Sequence, residues 1–454
     1  MGGGLLQLVA YGAQDVYLTG NPQITFFMVV YRRHTNFAIE AIEQTFNGTP
    51  AFGNSVTVTV SRNGDLINRA YLQVRVPALS NYRFGDHGTD KYVNYFGLRL
   101  LQSVVVEIGG QQIDKHYSDW LYIWNELSLP LGKRTGWEMM VGADGDVLSG
   151  NNFLSKTASV NNGATTLYIP LEFWFCRNVG LSLPLIALQY HEVKFKLQFE
   201  EMERCIAKTN GNAGLDSSTT TTIFTNKVLD AKLWIDYIFL DTDERRRFAQ
   251  NSQEYLIEQL QFTGSETLSA SSANKYRLNF NHPCKELIWV AKNSKGIGYR
   301  SSHDWYNYTY SASYASNANP PAYANSLFSG VSSSNLTSNI VSGVYPTGVN
   351  PFKNCLLQLN GNDRFAQREG TYFNYVQPYQ HHTNIPVNKG INVYSFALKP
   401  EEHQPSGTLN MSRIDTAVLS LETNNSAAGE VNIYAVNYNV LRIMSGMGGL
   451  AYSN

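Results

Sequence analysis

Apolar and polar residues alternate along much of this chain, and strands that bury one face of a sheet show this period of two. In Ser55–Ser61, the valines at positions 56, 58 and 60 share one face. The same alternation recurs in later segments: Ala70–Val76, Val193–Phe199, Ala231–Phe239 and Ala417–Leu421. This pattern predicts an all-β fold of antiparallel sheets, each with one buried face and one wetter face.

Two glycine turns predict hairpins between neighbouring strands. Asn63-Gly64 stands between Ser55–Ser61 and Ala70–Val76, and Asn-Gly between alternating runs is typical of a two-residue hairpin turn. Gly109-Gly110 follows the apolar run Val104–Ile108 in the same way. We therefore expect the strands that flank each turn to be hydrogen-bonded to one another.

One helix is predicted near the middle of the chain, over Asp241–Gln250. Asp241 suits the N-cap, and Glu244 stands three residues on, as in a capping box. A strand pattern returns at Glu254–Phe262. The helix therefore separates two β-rich halves.

The two halves repeat a similar order of motifs. VVVEIGGQ (104–111) corresponds to CLLQLNGN (355–362), and LYIPLEFWF (167–175) corresponds to VYSFALKP (393–400). Two β-domains of about 200 residues fit sandwiches or jelly rolls. The predicted organisation is an N-terminal arm (residues 1–25), a first domain (26–240), a linker helix (241–250), a second domain (251–443) and a C-terminal tail (444–454).

Two stretches rich in small polar residues, Gly211–Thr225 and Ser301–Asn350, predict long surface loops. The second stretch carries aromatic residues close together: Trp305, Tyr306, Tyr308 and Tyr310. Exposed rings of this kind offer an apolar face on which sugars stack. The sequence therefore leaves open an alternative function as a jelly-roll carbohydrate-binding protein.

The composition argues against several classes of protein. Of 454 residues only 16% are charged, and the net charge is -1, whereas a nucleic-acid-binding protein usually has a basic excess. No direct contact with nucleic acid is therefore predicted. The four cysteines form no CxxC pair, which favours free thiols. No run of about 18 apolar residues is present, so no transmembrane insertion is expected.

Candidate catalytic and metal-binding motifs fail on their spacing. His191-Glu192 begins HEVKF and lacks the second histidine of a zinc-binding HExxH motif. His381-His382 lies in a predicted polar loop, without a neighbouring carboxylate or cysteine cluster. Gly446–Gly449 is not followed by the helix that a phosphate-binding loop needs. We therefore predict no enzymatic activity, no cofactor and no metal.

Two further surface features remain. Arg245–Arg247 is the densest basic run and follows two acidic residues, which indicates a solvated helix face or, as the alternative, an interface. The pattern N-x-S/T marks candidate glycosylation sites. Those retained here are Asn307, Asn335, Asn410 and Asn424.

Long blocks of the chain resemble the major capsid proteins of chloroviruses and related nucleocytoplasmic large DNA viruses. The first block, Leu8–Glu40, reads LVAYGAQDVYLTGNPQITFFMVVYRRHTNFAIE. Further blocks follow in order: Ile108–Trp120, Leu183–Lys194, Asp236–Gln250, Glu254–Thr267, Leu359–Gln380, Pro405–Asp415 and Asn437–Tyr452. The chain departs from the family mainly at Lys133–Thr165, Gly211–Thr225 and Ser301–Asn350, which we expect to be surface loops.

The resemblance implies a double jelly roll, with two eight-stranded antiparallel sandwiches in tandem. It implies homotrimeric, pseudo-hexagonal capsomers that tile the outer shell of an icosahedral virion beside neighbouring capsomers, minor capsid proteins and penton proteins. It also implies assembly in the host cytoplasm and glycans on outer loops. The apolar arm, with aromatic residues in or beside it, is expected to lie along the inner face of the capsomer: Tyr11, Tyr17, Phe26 and Phe27.

Overall fold

The structure is a computed structural model, and it describes residues 6, 9–10, 12–22, 34–76, 83–84, 88–143, 165–208, 228–269, 274–293, 305–310, 349–423 and 429–452. The chain forms two compact units, Met1–Phe37 and Ala38–Asn454. In the first unit, helix α1 (Val16–Thr19) is a single turn. Tyr17 belongs to this turn, whereas the other aromatic residues named for the arm (Tyr11, Phe26 and Phe27) lie outside the described residues.

The first half of the chain forms two five-stranded antiparallel sheets and one small sheet. One sheet has the order β1-β13-β4-β10, with β9 also paired to β4, and the other has the order β2-β3-β11-β7-β8. The small sheet has the order β12-β6-β5. The strands are β1 (Phe37–Gln44), β2 (Phe46–Asn47), β3 (Ser55–Thr59), β4 (Leu66–Val76), β5 (Arg83–Phe84), β6 (Gly88–Tyr92), β7 (Leu101–Ile108), β8 (Gln111–Tyr117), β9 (Thr165–Pro170), β10 (Leu183–Pro184), β11 (Val193–Phe199), β12 (Ile206–Lys208) and β13 (Asp230–Leu240).

The second half forms a seven-stranded and a five-stranded antiparallel sheet. The larger has the order β14-β24-β17-β21, with β15 and β25 on β24 and β22 on β17; the smaller has the order β16-β23-β18-β19, with β20 on β18. The strands are β14 (Gln253–Phe262), β15 (Glu266–Leu268), β16 (Asn274–Arg277), β17 (Pro283–Asn293), β18 (Phe352–Leu359), β19 (Asn362–Asp363), β20 (Arg368–Glu369), β21 (Asn392–Ser395), β22 (Leu409–Asn410), β23 (Ala417–Thr423), β24 (Gly429–Met444) and β25 (Met447–Leu450).

The two halves have the same strand order. The path β1-β13-β4-β10 corresponds to β14-β24-β17-β21, and β3-β11-β7-β8 corresponds to β16-β23-β18-β19. The repeated glycine-turn motif of the sequence lies at equivalent places, between β7 and β8 and between β18 and β19. Two packed antiparallel sheets of this order form a jelly roll, so the fold is the predicted double jelly roll.

The alternating pattern places its apolar face in the core. In β11, Val193, Phe195 and Leu197 are buried, whereas Lys196 between them is exposed. Burying one such apolar side chain contributes about 1.5–3 kcal/mol. The strands predicted at Val193–Phe199, Ala231–Phe239 and Ala417–Leu421 are thus confirmed as β11, β13 and β23.

The two predicted hairpins have different outcomes. Gly109-Gly110 closes a hairpin, because β7 pairs with β8, and both glycines adopt positive φ angles of 59° and 84°. The Asn63-Gly64 hairpin was wrong, because β3 pairs with β11 and β4 pairs with β13. The turn carries the chain from one sheet to the other. Alternation shows which face of a strand is buried, but it does not identify the partner strand.

The predicted linker helix is α7 (Thr242–Gln250), and the Asp241 side chain accepts from the Glu244 N–H at 3.0 Å.

Part of the loop expected at Lys133–Thr165 is helical instead, because Trp137 and Val141 bury one side of a helix there. Residues 447–450, predicted to belong to a tail, pair as β25 with β24. Within the described residues, the other α-helices are α2 (Phe96–Leu100), α3 (Ser118–Ser128), α4 (Leu131–Val141), α5 (Trp174–Arg177), α6 (Met202–Cys205) and α8 (Gln377–His381). Among the described helices, none is long and apolar enough to cross a bilayer.

Candidate assembly interface

Long connections from both jelly rolls meet in one buried aromatic cluster. Trp305, Tyr306 and Tyr308 lie between β17 and β18, and none is more than 5% exposed. The Trp305 indole N–H donates to the Asn94 carbonyl at 2.9 Å, and the Tyr308 hydroxyl donates to the Asp119 carboxylate at 3.0 Å. Both acceptors belong to the first half, so this segment joins the second jelly roll to the first.

Ring contacts fill this cluster. The Tyr306 ring centroid lies 5.0 Å from that of Tyr95 and 5.4 Å from that of Tyr122, at tilted or edge-on angles. Such pairs contribute about 0.5–1.5 kcal/mol beyond the area they bury. Gly390 leaves room for the segment, since a Cβ there would lie 2.0 Å from the Tyr308 carbonyl oxygen. The cluster is therefore a packed core between the connections.

The expectation that these aromatic residues are exposed was wrong. Trp305, Tyr306 and Tyr308 are buried, and Tyr310 is half-buried with its backbone paired to Val349. Residues 305–308 of the stretch Ser301–Asn350 are thus part of the core, and residues 301–304 and 311–348 lie outside the described residues. Buried rings offer no face to a sugar, so these residues do not support the carbohydrate-binding alternative.

A second part of the junction lies between the edges of β8 and β14. The Leu260 N–H donates to the Asp114 carboxylate at 3.0 Å, and the Gln259 side chain donates to the Ile113 carbonyl. The hydrophobic core of the first half continues into the second half. It includes Ile257 and other buried side chains of the seven-stranded sheet of the second half. The two jelly rolls therefore share apolar packing as well as hydrogen bonds.

A buried charge network crosses the same junction. Glu258 on β14 pairs with Arg177 of the first half at 2.8 Å and with Lys285 on β17 at 2.6 Å. Burial raises the pKa of Glu258, but Arg177 and Lys285 outweigh burial and hold that pKa below its usual value. Burial lowers the pKa of Lys285, whose side chain is fully buried. Removing one partner of such a network leaves a buried charge without compensation.

His382 lies between two carboxylates at the end of α8. Its Nε2 is 2.9 Å from Glu286 and its Nδ1 is 2.8 Å from Glu401, and its side chain is fully buried. Burial lowers the pKa of His382, but Glu286 and then Glu401 outweigh burial and raise it to about 9. The expectation of a polar loop without carboxylates was wrong, because folding brings Glu286 to His382 from a distant strand. Across the described ranges, no three His, Cys, Asp or Glu side chains are grouped to hold a metal ion.

The His191-Glu192 pair, the glycine-rich segment Gly446–Gly449 and the basic run Arg245–Arg247 also make contacts in the folded chain. The His191 Nδ1 lies 2.8 Å from the Gly448 carbonyl oxygen, so the glycine-rich segment packs against the first half. Arg245 of the basic run pairs with Asp65 at 3.0 Å and holds the linker helix against the first jelly roll. Arg246 and Arg247 are exposed.

The candidate glycosylation sites differ in their surroundings. Asn410 is exposed, and its side chain accepts from the Ser412 N–H at 3.1 Å. Asn307 is half-buried and accepts from the Thr309 N–H at 3.0 Å and from its hydroxyl at 2.7 Å. Asn335 and Asn424 lie outside the described residues. The four cysteines are free thiols: Cys176, Cys205, Cys284 and Cys355.

Comparisons with known proteins cover both halves. Residues 25–241 match the family model for the major capsid protein N-terminus, and residues 244–449 match that for the large eukaryotic DNA virus major capsid protein. The major capsid protein of Pyramimonas orientalis virus is 50% identical over 484 residues, covering 100% of each chain. The major capsid protein of Paramecium bursaria Chlorella virus 1 is 44% identical over 485 residues, also covering 100% of each chain.

Solved structures agree with these relatives. A chain of the quasi-atomic PBCV-1 virus capsid is similar with a TM-score of 0.73 and 39% identity, over 95% of this chain and 100% of that chain. The Faustovirus major capsid protein, at 16% identity and a TM-score of 0.67, shares the fold. The two jelly rolls, their junction and the matched relatives together show that this chain belongs to the major capsid proteins of large eukaryotic DNA viruses, structural proteins that form the virion shell.

Proposed function

We propose that this capsid protein builds its shell as a homotrimer with a pseudo-hexagonal outline. The observation that carries this proposal is the buried junction, which holds two jelly rolls of the same strand order side by side in one chain. Three such chains around a threefold axis present six similar sandwiches. A unit with six similar edges tiles an icosahedral facet with neighbouring copies of itself.

The parts of the chain have distinct roles in this capsomer. Residues 26–240 and 251–443 form the two jelly rolls, residues 241–250 link them, and residues 444–454 close the second. Residues 1–25 lie along the inner face and link neighbouring capsomers. Deleting residues 1–25 should leave trimers intact and weaken shell assembly; shells that form as well as those of the full chain would contradict this role.

The protein acts through association and not through catalysis. Its partners are neighbouring capsomers together with minor capsid and penton proteins, and assembly takes place in the host cytoplasm. It does not touch the genome, which agrees with its net charge of -1. Outer loops carry glycans, with Asn307, Asn335, Asn410 and Asn424 as candidates, of which Asn410 is exposed and Asn307 is half-buried. Peptide mapping by mass spectrometry of virion-derived protein identifies the modified residues.

Light scattering of the purified full chain tests the capsomer directly. The expected species has three times the chain mass of 50.8 kDa, and it should persist on dilution, because obligate interfaces are large and apolar. Negative-stain images should show two lobes for each chain. A stable monomer or dimer would contradict the trimer.

A further inference from the structure

The junction between the two jelly rolls joins one sheet edge of each half. Strand β8 ends a five-stranded sheet of the first half, and β14 ends the seven-stranded sheet of the second half. They meet where the Leu260 N–H donates to the Asp114 carboxylate at 3.0 Å and where the ring centroids of Tyr117 and Phe262 lie 5.1 Å apart. Nine of the ten residues of β14 and five of the seven of β8 are at least partly buried.

The same two edges occur a second time in the chain, because the two halves have the same strand order. Strand β1 is the counterpart of β14, and residues 362–369, which contain β19 and β20, are the counterpart of β8. Residues 362–369 are named the β19–β20 edge. It begins opposite Leu359 and ends opposite Asn354, as β8 begins opposite Ile108 and ends opposite Ser103. Both edges follow a two-residue turn with positive φ angles.

The second occurrence of each edge is exposed. Six of the eight residues of β1 are exposed, and Ile39 is 54% exposed. Seven of the eight residues of the β19–β20 edge are also exposed, and Phe365 is the exception. A strand edge in this state is a template for association with another chain. In the described part of the chain, therefore, each of these edges lacks the cover that its counterpart has at the junction.

The charges on the two exposed edges are complementary. Arg364 and Arg368 are exposed on the β19–β20 edge, and Glu40 is exposed on β1. None of the three forms an ion pair with another described residue. The junction within the chain has the same polarity, because Glu258 on β14 pairs with Arg177 of the first half at 2.8 Å. Complementary charges of this kind favour one orientation of two surfaces over another.

We propose that the β19–β20 edge of one copy contacts β1 of the next copy, so that the contact between chains repeats the junction that β8 and β14 form within each chain. This inference rests on the proposed capsomer and names the two surfaces that build it. The equivalence of the halves identifies the occupant, because the chain itself shows what covers the counterpart of each edge. Two different surfaces meet, so the interface is heterologous, and repeated contacts of this type close into a ring.

Two double variants each damage one edge. Ile39→Arg with Glu40→Arg places two positive charges on β1, where they oppose the arginines of the other edge. Arg364→Glu with Arg368→Glu reverses the charge of the β19–β20 edge. All four side chains are exposed, so neither variant opens a cavity in the folded chain. Circular dichroism with denaturant unfolding checks that each variant is folded.

The matched controls place the same charges elsewhere. Tyr190→Arg adds a positive charge at a side chain that is 76% exposed, and Arg246→Glu with Arg247→Glu reverses two exposed charges on the linker helix. Light scattering over a dilution series should find each edge variant monomeric at concentrations roughly tenfold above those at which the unchanged chain is trimeric, because charges at the centre of an interface carry large costs. Both controls should remain trimeric. Edge variants that stay trimeric would overturn the assigned surfaces and leave the trimer itself intact.

Mixing the two edge variants tests the heterologous contact itself. Each variant retains the edge that the other has lost, so an equal mixture should form one contact and give a dimer of twice the chain mass of 50.8 kDa. The damaged edges then lie at the two ends, and no third chain can add. A mixture that stays monomeric or forms trimers would overturn the pairing of these two edges. If the unchanged chain is a monomer, the proposed capsomer fails, and this inference fails with it.

A thiol-labelling measurement leaves the assembly undisturbed. Ile39→Cys and Ala366→Cys place a thiol on each edge, and Tyr190→Cys places one on the control surface. Three of the four native cysteines are buried, which limits background labelling. In the assembled protein, maleimide should label positions 39 and 366 at least about tenfold more slowly than position 190, because an interface opens only when the chains dissociate. If either edge position is labelled as fast as position 190, that edge is open in the trimer and the proposal is overturned in favour of another occupant, such as a minor capsid protein.

Discussion

Replacing Tyr306 tests whether a buried aromatic cluster joins the two jelly rolls. The residue is 2% exposed, and its hydroxyl accepts from the Asn94 amide at 3.0 Å. Tyr306→Phe removes this acceptor, and leaving a buried donor without its partner costs about 1–3 kcal/mol. Tyr306→Ala also removes the ring contacts with Tyr95 and Tyr122 and leaves a cavity, for which truncation of a buried aromatic residue costs about 3–5 kcal/mol.

Denaturant unfolding followed by circular dichroism measures these losses in the free energy of unfolding. Each loss is the shift in the midpoint denaturant concentration multiplied by the slope of unfolding free energy against denaturant concentration. The first transition is compared between variants, since a chain with two domains need not unfold in one step. The exposed Tyr190→Ala is the control and should stay within about 0.5 kcal/mol of the unchanged chain. If Tyr306→Ala is as stable as this control, the ring is not buried and the assigned junction is wrong. An exposed, sugar-binding Tyr306 would give that result.

Other consequences of the structure are open to measurement. The charge of His382 contributes stability that is fully present below its unfolded pKa of about 6.5 and is lost as pH rises through about 9. His382→Gln should therefore lower the free energy of unfolding by a few kcal/mol at neutral pH, and it should flatten the alkaline side of a plot of melting temperature against pH. An alkaline side unchanged by the substitution would contradict the ion pairs. Glu258→Gln should cost about 3–5 kcal/mol by denaturant unfolding, because it leaves the buried Lys285 without its carboxylate. Glu254→Gln, at an exposed position near the start of the same strand, should cost about 0–1 kcal/mol, and equal losses would refute the buried network. Asp241→Ala should lower stability by about 1 kcal/mol through loss of the helix cap, and Asp241→Asn should restore most of it.

The main error at the level of single motifs concerned His382. The sequence shows two adjacent histidines among polar residues, which is typical of a solvated loop. The carboxylates that enclose His382 come from β17 and from the segment after β21, and neither is near it in sequence at the spacing of a metal or catalytic motif. Charge pairing between distant strands leaves no periodic signal, so only the folded chain reveals it.

The aromatic segment from Trp305 to Tyr310 illustrates the same limit. It stands in a stretch of Ser, Asn and Gly, which predicts an exposed loop. In the structure the first half supplies a lining for these rings, through Tyr95 and Tyr122. Burial of an aromatic side chain depends on what packs against it, and here that partner lies about two hundred positions earlier in the chain.

What the sequence determined by itself depends on neighbours in the chain. The valine alternation in β3, the Gly109-Gly110 turn and the Asp241 cap are local, so short-range sterics and hydrogen bonding specify them. The repeated motifs and the long family blocks further identified two jelly rolls and a capsid protein. Only the tertiary structure decided which strands pair after Asn63-Gly64, which groups are buried at the junction, and which apolar residues remain exposed. Those features arise from contacts between segments far apart in sequence, and they are specified by packing and electrostatics that no local pattern contains.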